Sequence, residues 1–474
     1  MCLRILFAFL ISWATAIATA AAPQKNIVLL LADDLGWSDL GCYGNDLHET
    51  PNLDRLATQG TRFTDAYAAS PVCSPTRAAI LTGKHPARLH MTIWREAARE
   101  RGHRQLLEPA CLDSLPLEHT TLAETLKEAG YFNAHIGKWH VGRADAYPQP
   151  HGFHVNIGGT LWGAPQSFWH PYKGDAYFRD WRYVPGLEPG KIGDYLTDRL
   201  TEQGIQVMEQ QVRAGRPFFL NLWYHTVHTP IEGKPKLVAH YKKKIRPDSK
   251  WKNPHYAAMV HSLDQNVGRI LTKIKDLGIS DNTLVVFTSD NGGFVNRCKL
   301  NKELQVADNS PLRSGKGSCY EGGIRVPLIV SGSGVSKGKE SPTPVYSCDL
   351  LPTLLHAAGQ KDKTPKGIDG MDLTPLLKKP GASLSRDTLY FHYPHYYPTT
   401  SPVSAIRKGN WKLLEYFTDG HLELYNLKDD PGEKNNLVKT HSDTANRLAL
   451  KLHLWRKRVD ALEPEPNPAW KPRK

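Results

Sequence analysis

The 474-residue chain contains no Asn-x-Ser/Thr sequon. That favours a bacterial exported protein over a glycosylated lysosomal one. Cysteine is sparse: seven in all, with Cys42, Cys73, Cys111, Cys298, Cys319 and Cys348 scattered beyond residue 22. This excludes a small disulfide-stapled fold and leaves room for one or two bridges without fixing a pairing. No apolar run after residue 22 approaches a membrane span. No internal repeat is present, which excludes solenoids and propellers. At 40% hydrophobic and 23% charged, the composition argues against wholesale disorder and fibrous repeats.

What is abundant is positive charge. Sixty Lys+Arg stand against 47 Asp+Glu, a formal +13. Such a chain suits a polyanion: nucleic acid, an acidic lipid face or a sulfated polysaccharide. The basic residues are dispersed and accompany no nucleic-acid motif, so no nucleic-acid partner is expected. Residues 1–22 read as a secretory signal peptide, with Arg4, an apolar run over Ile5–Ile17 and the small-x-small Ala18-Thr19-Ala20. The mature protein is expected to be secreted or periplasmic, with no membrane contact after cleavage.

From residue 23 to 385, apolar strand-like runs alternate with amphipathic helices. Strands are expected at 26–32, 131–136, 217–224, 283–289 and 326–330, and helices at 121–130, 192–212, 256–277 and 349–358. Alternation with continuous apolar strands predicts an α/β fold: a large, mostly parallel sheet sandwiched by helices. From 386 to 462 the pattern changes to short strands, a Thr418-Asp419-Gly420 hairpin turn and a helix over 443–459. This is expected as a small antiparallel α+β subdomain. Residues 463–474 hold four prolines among charges and read as a loose tail.

Ligands of open α/β sheets bind at the carboxyl ends of the strands. Asp33-Asp34 follows the first expected strand, Lys138 and His140 the second, His225 and His228 the third, and Asp290-Asn291 the fourth. One such pair is ordinary turn chemistry; four in succession are not. Three carboxylates and an amide oxygen are hard ligands, suited to Ca²⁺ or Mg²⁺ rather than Zn²⁺. Lys138 supplies fixed charge for an anion, and His140 and His228 supply proton transfer. His135, His225 and His261 read as structural. Ser70 to Gly83 reads as a loop entering a helix, with Ser74 as N-cap and Pro75 as first helical residue. Cys73 would then sit where the helix dipole favours a thiolate.

Cys73-x-Pro75-Thr76-Arg77, followed by Ala78-Ala-Ile-Leu-Thr-Gly83, resembles the signature of the formylglycine-dependent sulfatases. Ala32 to Trp37 and Thr288 to Gly293 resemble that family's calcium blocks, Pro51 to Ala57 the helix before the nucleophile, and Gly137 to His140 its lysine–histidine block. His228 to Pro230 resembles its second histidine, Gly315 to Gly317 with Tyr320 to Gly323 its second lysine, Lys316. Arg407 to Lys412, Glu423 to Leu427 and Asp430 to Glu433 resemble its C-terminal subdomain.

The resemblance implies an alkaline phosphatase-like fold and hydrolysis of sulfate esters. It implies that Cys73 is oxidised to formylglycine (3-oxoalanine) by a generating or maturase enzyme. Ca²⁺ would be held by Asp33, Asp34, Asp290, Asn291 and modified Cys73. Arg77 would hold the residue-73 hydroxyl, Lys138 and Lys316 would neutralise sulfate charge, His228 would protonate the leaving alcohol, and His140 would take the second hydroxyl's proton. The block order resembles sulfatases acting on N-acetylgalactosamine or galactose sulfates of a sulfated polysaccharide. Trp162, Trp169 and His170, with His395 in the second domain, offer faces for sugar rings or pack the domain junction. A phosphate mono- or diester hydrolase of the same scaffold and a non-catalytic binder of sulfated glycans stand as alternatives.

Overall fold

The unbroken apolar run Asn26–Ala32 forms a strand over those same residues. Side-chain alternation divides it between two cores. Val28, Leu30 and Ala32 face one, with Leu53, Leu196 and Leu263; Ile27, Leu29 and Leu31 face the other, with Ala78, Leu122 and Leu351. The computed structural model describes residues 24–97, 104–187, 190–298 and 301–471. The expected signal segment 1–22 lies outside the described residues.

The strand sits inside an eight-stranded sheet. From one edge the order is Lys339–Ser341, Gly60–Phe63, Leu328–Gly332, Thr283–Ser289, Asn26–Ala32, Phe218–Trp223, Phe132–Gly137, Val155–Ile157. Pairing is parallel throughout, except that Leu328–Gly332 runs antiparallel to both its neighbours. Helices Pro51–Thr58, Leu196–Arg213 and Pro254–Asp276 contribute to the first core, and Cys73–Thr82, Leu122–Glu128 and Leu350–Ala357 to the second.

Local chemistry sets several boundaries. Thr121 caps its helix through the expected box with Glu124. The long helix begins at Pro254 rather than at 256, because Asn253 accepts from the backbone N–H of His255 and Tyr256. The helix expected from residue 192 starts at Leu196; Gly193, at φ 95°, breaks the chain just before it.

Strands Thr388–Tyr393, Val403–Lys408, Trp411–Tyr416 and Leu422–Asn426 form a separate antiparallel sheet. One face, including Phe391, Ala405 and Leu414, packs on Ala79 of the Cys73–Thr82 helix and on Tyr67 and Ile324. The other, with Ile406, Leu413 and Leu424, is covered by the helix Ser442–Arg458. Lys412 Nζ ties the small sheet to the short helix Glu321–Ile324 and to the loop after the sheet's last strand, 2.9 Å from Glu321 and 2.8 Å from Glu433, with all three side chains fully buried. Within the C-terminal segment, Glu465–Pro466 pairs with Leu106–Leu107, and Asn467 Nδ2 donates to the Arg104 carbonyl. Cys42, Cys73, Cys111, Cys319 and Cys348 are free thiols. No helix among the described residues is long and apolar enough to cross a membrane.

Burial holds several imidazoles neutral. It brings His48, His85 and His151 down to about 4, and His135 and His392 to about 3. The unfolded chain takes up these protons near pH 6.5, before the fold does. Stability from these groups is therefore present above about 6.5 and lost as the pH falls toward 4, at up to about 1.4 kcal/mol per pH unit for each. The melting temperature is expected to drop through that window. An unchanged melting temperature between those limits would contradict neutral burial.

Candidate active site

Four neighbouring parallel strands end together. Asn26–Ala32 delivers Asp33 and Asp34, and Phe132–Gly137 delivers Lys138 and His140. Phe218–Trp223 delivers His225 and His228, and Thr283–Ser289 delivers Asp290 and Asn291. Backbone bonds tie these ends laterally: Asp33 N–H to the Thr226 carbonyl at 3.0 Å, Lys138 N–H to that of Trp223 at 2.8 Å, and Asp290 N–H to that of Ala32 at 3.2 Å. Asp34 and His140 adopt φ of 60° and 58°. Such backbone costs about 1–3 kcal/mol and persists where surrounding structure enforces it. Here it turns both side chains inward from the strand ends. Gly163 leaves room for this, since a Cβ there would meet the His140 ring at 2.3 Å.

The helix carrying Cys73 begins at Cys73 itself, with Val72 as N-cap. This corrects the expected capping by Ser74, whose hydroxyl instead donates to the His140 carbonyl at 2.6 Å. All ten helical residues are buried. Cys73 Sγ lies 3.3 Å from His140 Nδ1, and His140 Nε2 lies 3.2 Å from Glu96 Oε2. Burial opposes ionisation of the Cys73 thiol, but Lys138, His140 and Lys316 outweigh it and bring it down to about 6.

Around the thiol, Asp33, Asp34 and Asp290 face Lys138, Lys316 and Arg77. Lys138 Nζ is 2.7 Å from Asp33 Oδ2, and Lys316 Nζ is 2.7 Å from Asp34 Oδ1. Arg77 donates through Nε to Asp290 at 2.8 Å and through Nη1 to the Lys138 carbonyl at 2.8 Å. His228 Nε2 stands 3.6 Å from Asp34 Oδ2. Burial and Lys316 hold the His228 imidazolium well below its ordinary range, against Asp34.

The donor set fits a hard divalent cation. Asp33 Oδ1 and Asn291 Oδ1 are buried without a hydrogen-bond partner. Ligand atoms of Asp33, Asp34 and His228 lie within 4.8 Å of one another. Burial and the neighbouring Asp290 push the Asp33 carboxyl well above the usual range, despite Lys138 and Arg77. A bound cation would remove that conflict.

These groups open into a pocket of about 230 Å³ lined by Asp34, Cys73, His140, His228 and Lys316, and by residues the sequence did not mark: Trp94, Glu96, Phe178, Arg182, Phe294 and Tyr397. Tyr397 comes two positions after His395, one of the residues expected at the sugar. The four residues expected at the sugar are not among the lining residues. Trp162 carries the Arg182 guanidinium 5.1 Å above its ring, and Arg182 is the residue that lines the pocket. Trp169 packs on Tyr195 with ring centres 4.8 Å apart, and His170 stands edge-on to Tyr172 at 5.3 Å. His395 is buried against Thr92 and Glu108. Intramolecular packing claims these rings. His135 is likewise structural, bonded to Asn221 and edge-on to Trp139.

The sequence pattern of the sulfatase family matches residues 25–360, and that of the N-sulphoglucosamine sulphohydrolase C-terminal region residues 315–460. The chain is similar to the N-acetylgalactosamine-6-sulfatase of Canis lupus familiaris, 33% identical over 462 residues that cover 94% of this chain and 82% of that protein. It is similar to arylsulfatase A of Homo sapiens, 34% identical over 90% of this chain and 85% of that protein. Among solved structures, Ps i-CgsB in complex with k-i-k-neocarrahexaose aligns with a TM-score of 0.75 and 29% identity, covering 94% of each chain.

Proposed function

The chain belongs to the sulfatase family and is a sulfuric ester hydrolase of alkaline phosphatase-like fold, and we propose that it removes O-sulfate from galactose or N-acetylgalactosamine units of a sulfated polysaccharide. The observation that carries this reading is Cys73 at the head of a buried helix, flanked by Lys138, His140, Lys316 and the acidic strand ends. The sugar is supported by the relatives: one is named for N-acetylgalactosamine 6-sulfate chemistry, and one was solved with a neocarrahexaose.

Formylglycine made from Cys73 by a maturation enzyme would supply, once hydrated, the attacking hydroxyl. Ca²⁺ held by Asp33, Asp34, Asp290 and Asn291 would supply Lewis-acid charge at a sulfate oxygen. The remaining work falls to the chain's own side chains. Arg77 fixes Asp290 and, through the Lys138 carbonyl, the strand end that carries Lys138. Lys138 and Lys316 present positive charge where negative charge grows on the sulfate oxygens. Burial first and then the Lys316 charge suppress protonation of His228; a sulfate beside it adds to Asp34 in opposing both, and His228 would deliver the proton to the leaving alcohol. His140, in contact with residue 73 and backed by Glu96, accepts the proton released at that position. Export is supported by the signal-like N-terminus.

The test is sulfate release from a matched panel of 4- and 6-sulfated galactose and N-acetylgalactosamine sugars, using matured protein with Ca²⁺. Release from one regioisomer is expected. No release from any member, with the aldehyde on the Cys73 peptide confirmed by mass, would discard the sugar assignment. Phosphate release exceeding sulfate release from paired esters would move the reading to a phosphoester hydrolase.

A further inference from the structure

Outside the reaction just described, a second thiol sits in a hydrogen-bonded cluster. His395 Nδ1 lies 3.1 Å from Glu108 Oε2, and His395 Nε2 lies 2.8 Å from Thr92 Oγ1. Thr92 Oγ1 is 3.0 Å from Cys111 Sγ, and His395 Nε2 is itself 3.5 Å from that sulfur. The side chains of His395 and Glu108 are 1% and 7% exposed, and Glu108 Oε1 is buried without a partner. Cys111 is only half-buried, unlike Cys73, Cys319 and Cys348. A carboxylate orients an imidazole, and the imidazole addresses a thiol directly and through a hydroxyl. This is the arrangement that activates a sulfur nucleophile.

We infer that Cys111 is a reactive thiolate, activated by His395 and Glu108, whose modification by peroxides or soft electrophiles acts on the wall of the active-site pocket. The proton leaves Sγ for Thr92 Oγ1 while the Thr92 proton passes to His395 Nε2, and Glu108 holds the resulting imidazolium. With a peroxide, sulfur attacks one oxygen and the O–O bond breaks. The departing hydroxide takes a proton from His395 and leaves as water. Sulfur is oxidised to the sulfenic acid and the peroxide is reduced. With iodoacetamide, a C–S bond forms, the C–I bond breaks and iodide leaves.

Two observations support this assignment. The balance of charges agrees: burial alone would raise the Cys111 thiol, but hydrogen bonding and the charge of His395 lower it. The Pro109 carbonyl, 3.5 Å away, is the contact that favours the protonated thiol. Cys42 provides the contrast within the same chain. It is also half-buried, yet burial and the carboxylate of Asp54 push its thiol up.

The link to the pocket is short. Thr92 leads into Trp94 and Glu96, and His395 into Tyr397, all three of which line the pocket. Trp94 and Tyr397 meet edge-on at 5.8 Å. An atom added to Sγ breaks into the contacts that Thr92 and His395 make with it at 3.0 and 3.5 Å, and both residues lead directly into this wall.

The test uses full-length, matured protein at pH 7 with iodoacetamide and hydrogen peroxide as probes, and quantifies each cysteine peptide by mass. Cys111 is expected to alkylate at least about tenfold faster than Cys42, and His395→Asn and Glu108→Gln are each expected to slow it about tenfold. Should His395→Asn fail to fold, Glu108→Gln and the Cys42 comparison carry the same decision. Peroxide is expected to raise KM for the sulfated sugar severalfold in the parent protein and to leave Cys111→Ala unaffected. Cys111 reacting no faster than Cys42, or becoming fully oxidised without a change in KM or kcat, would overturn the inference.

Discussion

Cys73→Ala is expected to abolish sulfate release, lowering kcat by on the order of 10⁴-fold or more, while the protein stays folded. The magnitude follows from where the residue stands. Cys73 is the first residue of a wholly buried helix, and its sulfur touches His140 within a ring of charge from Lys138 and Lys316. Removing the nucleophile leaves those charges with nothing to direct at sulfur. Loss of one buried Sγ costs far less in stability, so the melting temperature should change by only a few degrees. Cys73→Ser separates the proposed chemistry from ordinary nucleophilic catalysis. A serine hydroxyl could take up one sulfate, but its carbon carries no second hydroxyl whose deprotonation by His140 would expel that sulfate. At most one equivalent of alcohol product per enzyme is therefore expected from the serine variant. Sustained turnover by either variant would remove residue 73 from its proposed role.

The two central strands, buried on both faces, were readable to the residue, and Phe218–Trp223, Phe132–Gly137 and Leu328–Gly332 to within one or two. Asn26–Ala32 and Thr283–Ser289 stand in the middle of the sheet and are buried at every position, which selects the unbroken apolar runs Ile27–Ala32 and Leu284–Phe287. Gly60–Phe63, Val155–Ile157 and Lys339–Ser341 were not readable, because they are short, lie toward the sheet edges and mix in Arg62, Asn156 and Lys339. The strand-end residues were legible for a related reason: a parallel sheet sends each strand's next residues to the same edge, so Asp33, Lys138, His228 and Asp290 converge whatever the loops do. Glu96, Trp94 and Arg182 reach the pocket from irregular segments, where no periodicity marks them. Ser74 shows the limit of cap statistics. Its residue type suits an N-cap, but tertiary packing offers its hydroxyl the His140 carbonyl instead. Trp169 and His170 show the same limit for aromatic residues, since nothing in their type distinguishes a ring awaiting a sugar from one packed against Tyr195 or Tyr172.

Chelation of divalent metal is expected to silence the enzyme without unfolding it. Three carboxylates, Asp33, Asp34 and Asp290, are already matched by Arg77, Lys138 and Lys316 at 2.7–2.9 Å. These cations carry most of the neutralisation of the acidic strand ends, and Ca²⁺ relieves what remains at Asp33. A cation bound to the native state at about 100 times its dissociation constant adds only about 2.7 kcal/mol, and for a chain of this size that is a shift of a few degrees. The reaction is more exposed. Without the cation, Lys138 and Lys316 remain neutralised by Asp33 and Asp34. The charge available to the sulfate then drops by two, and several kcal/mol of transition-state stabilisation is lost. Sulfate release should fall by on the order of 10³-fold in excess chelator, with circular dichroism and melting close to those of the loaded protein. Added Ca²⁺ should restore the rate. Asn291→Ala, which removes a buried carbonyl oxygen that has no protein partner, should raise the Ca²⁺ concentration needed for half-maximal activity; because it also removes the Nδ2 donation to Asp34 at 2.8 Å, it should lower the chelated protein's melting temperature by a few degrees. Full activity in chelator, or unfolding of the chelated protein, would show that these acidic strand ends do different work from that assigned to them.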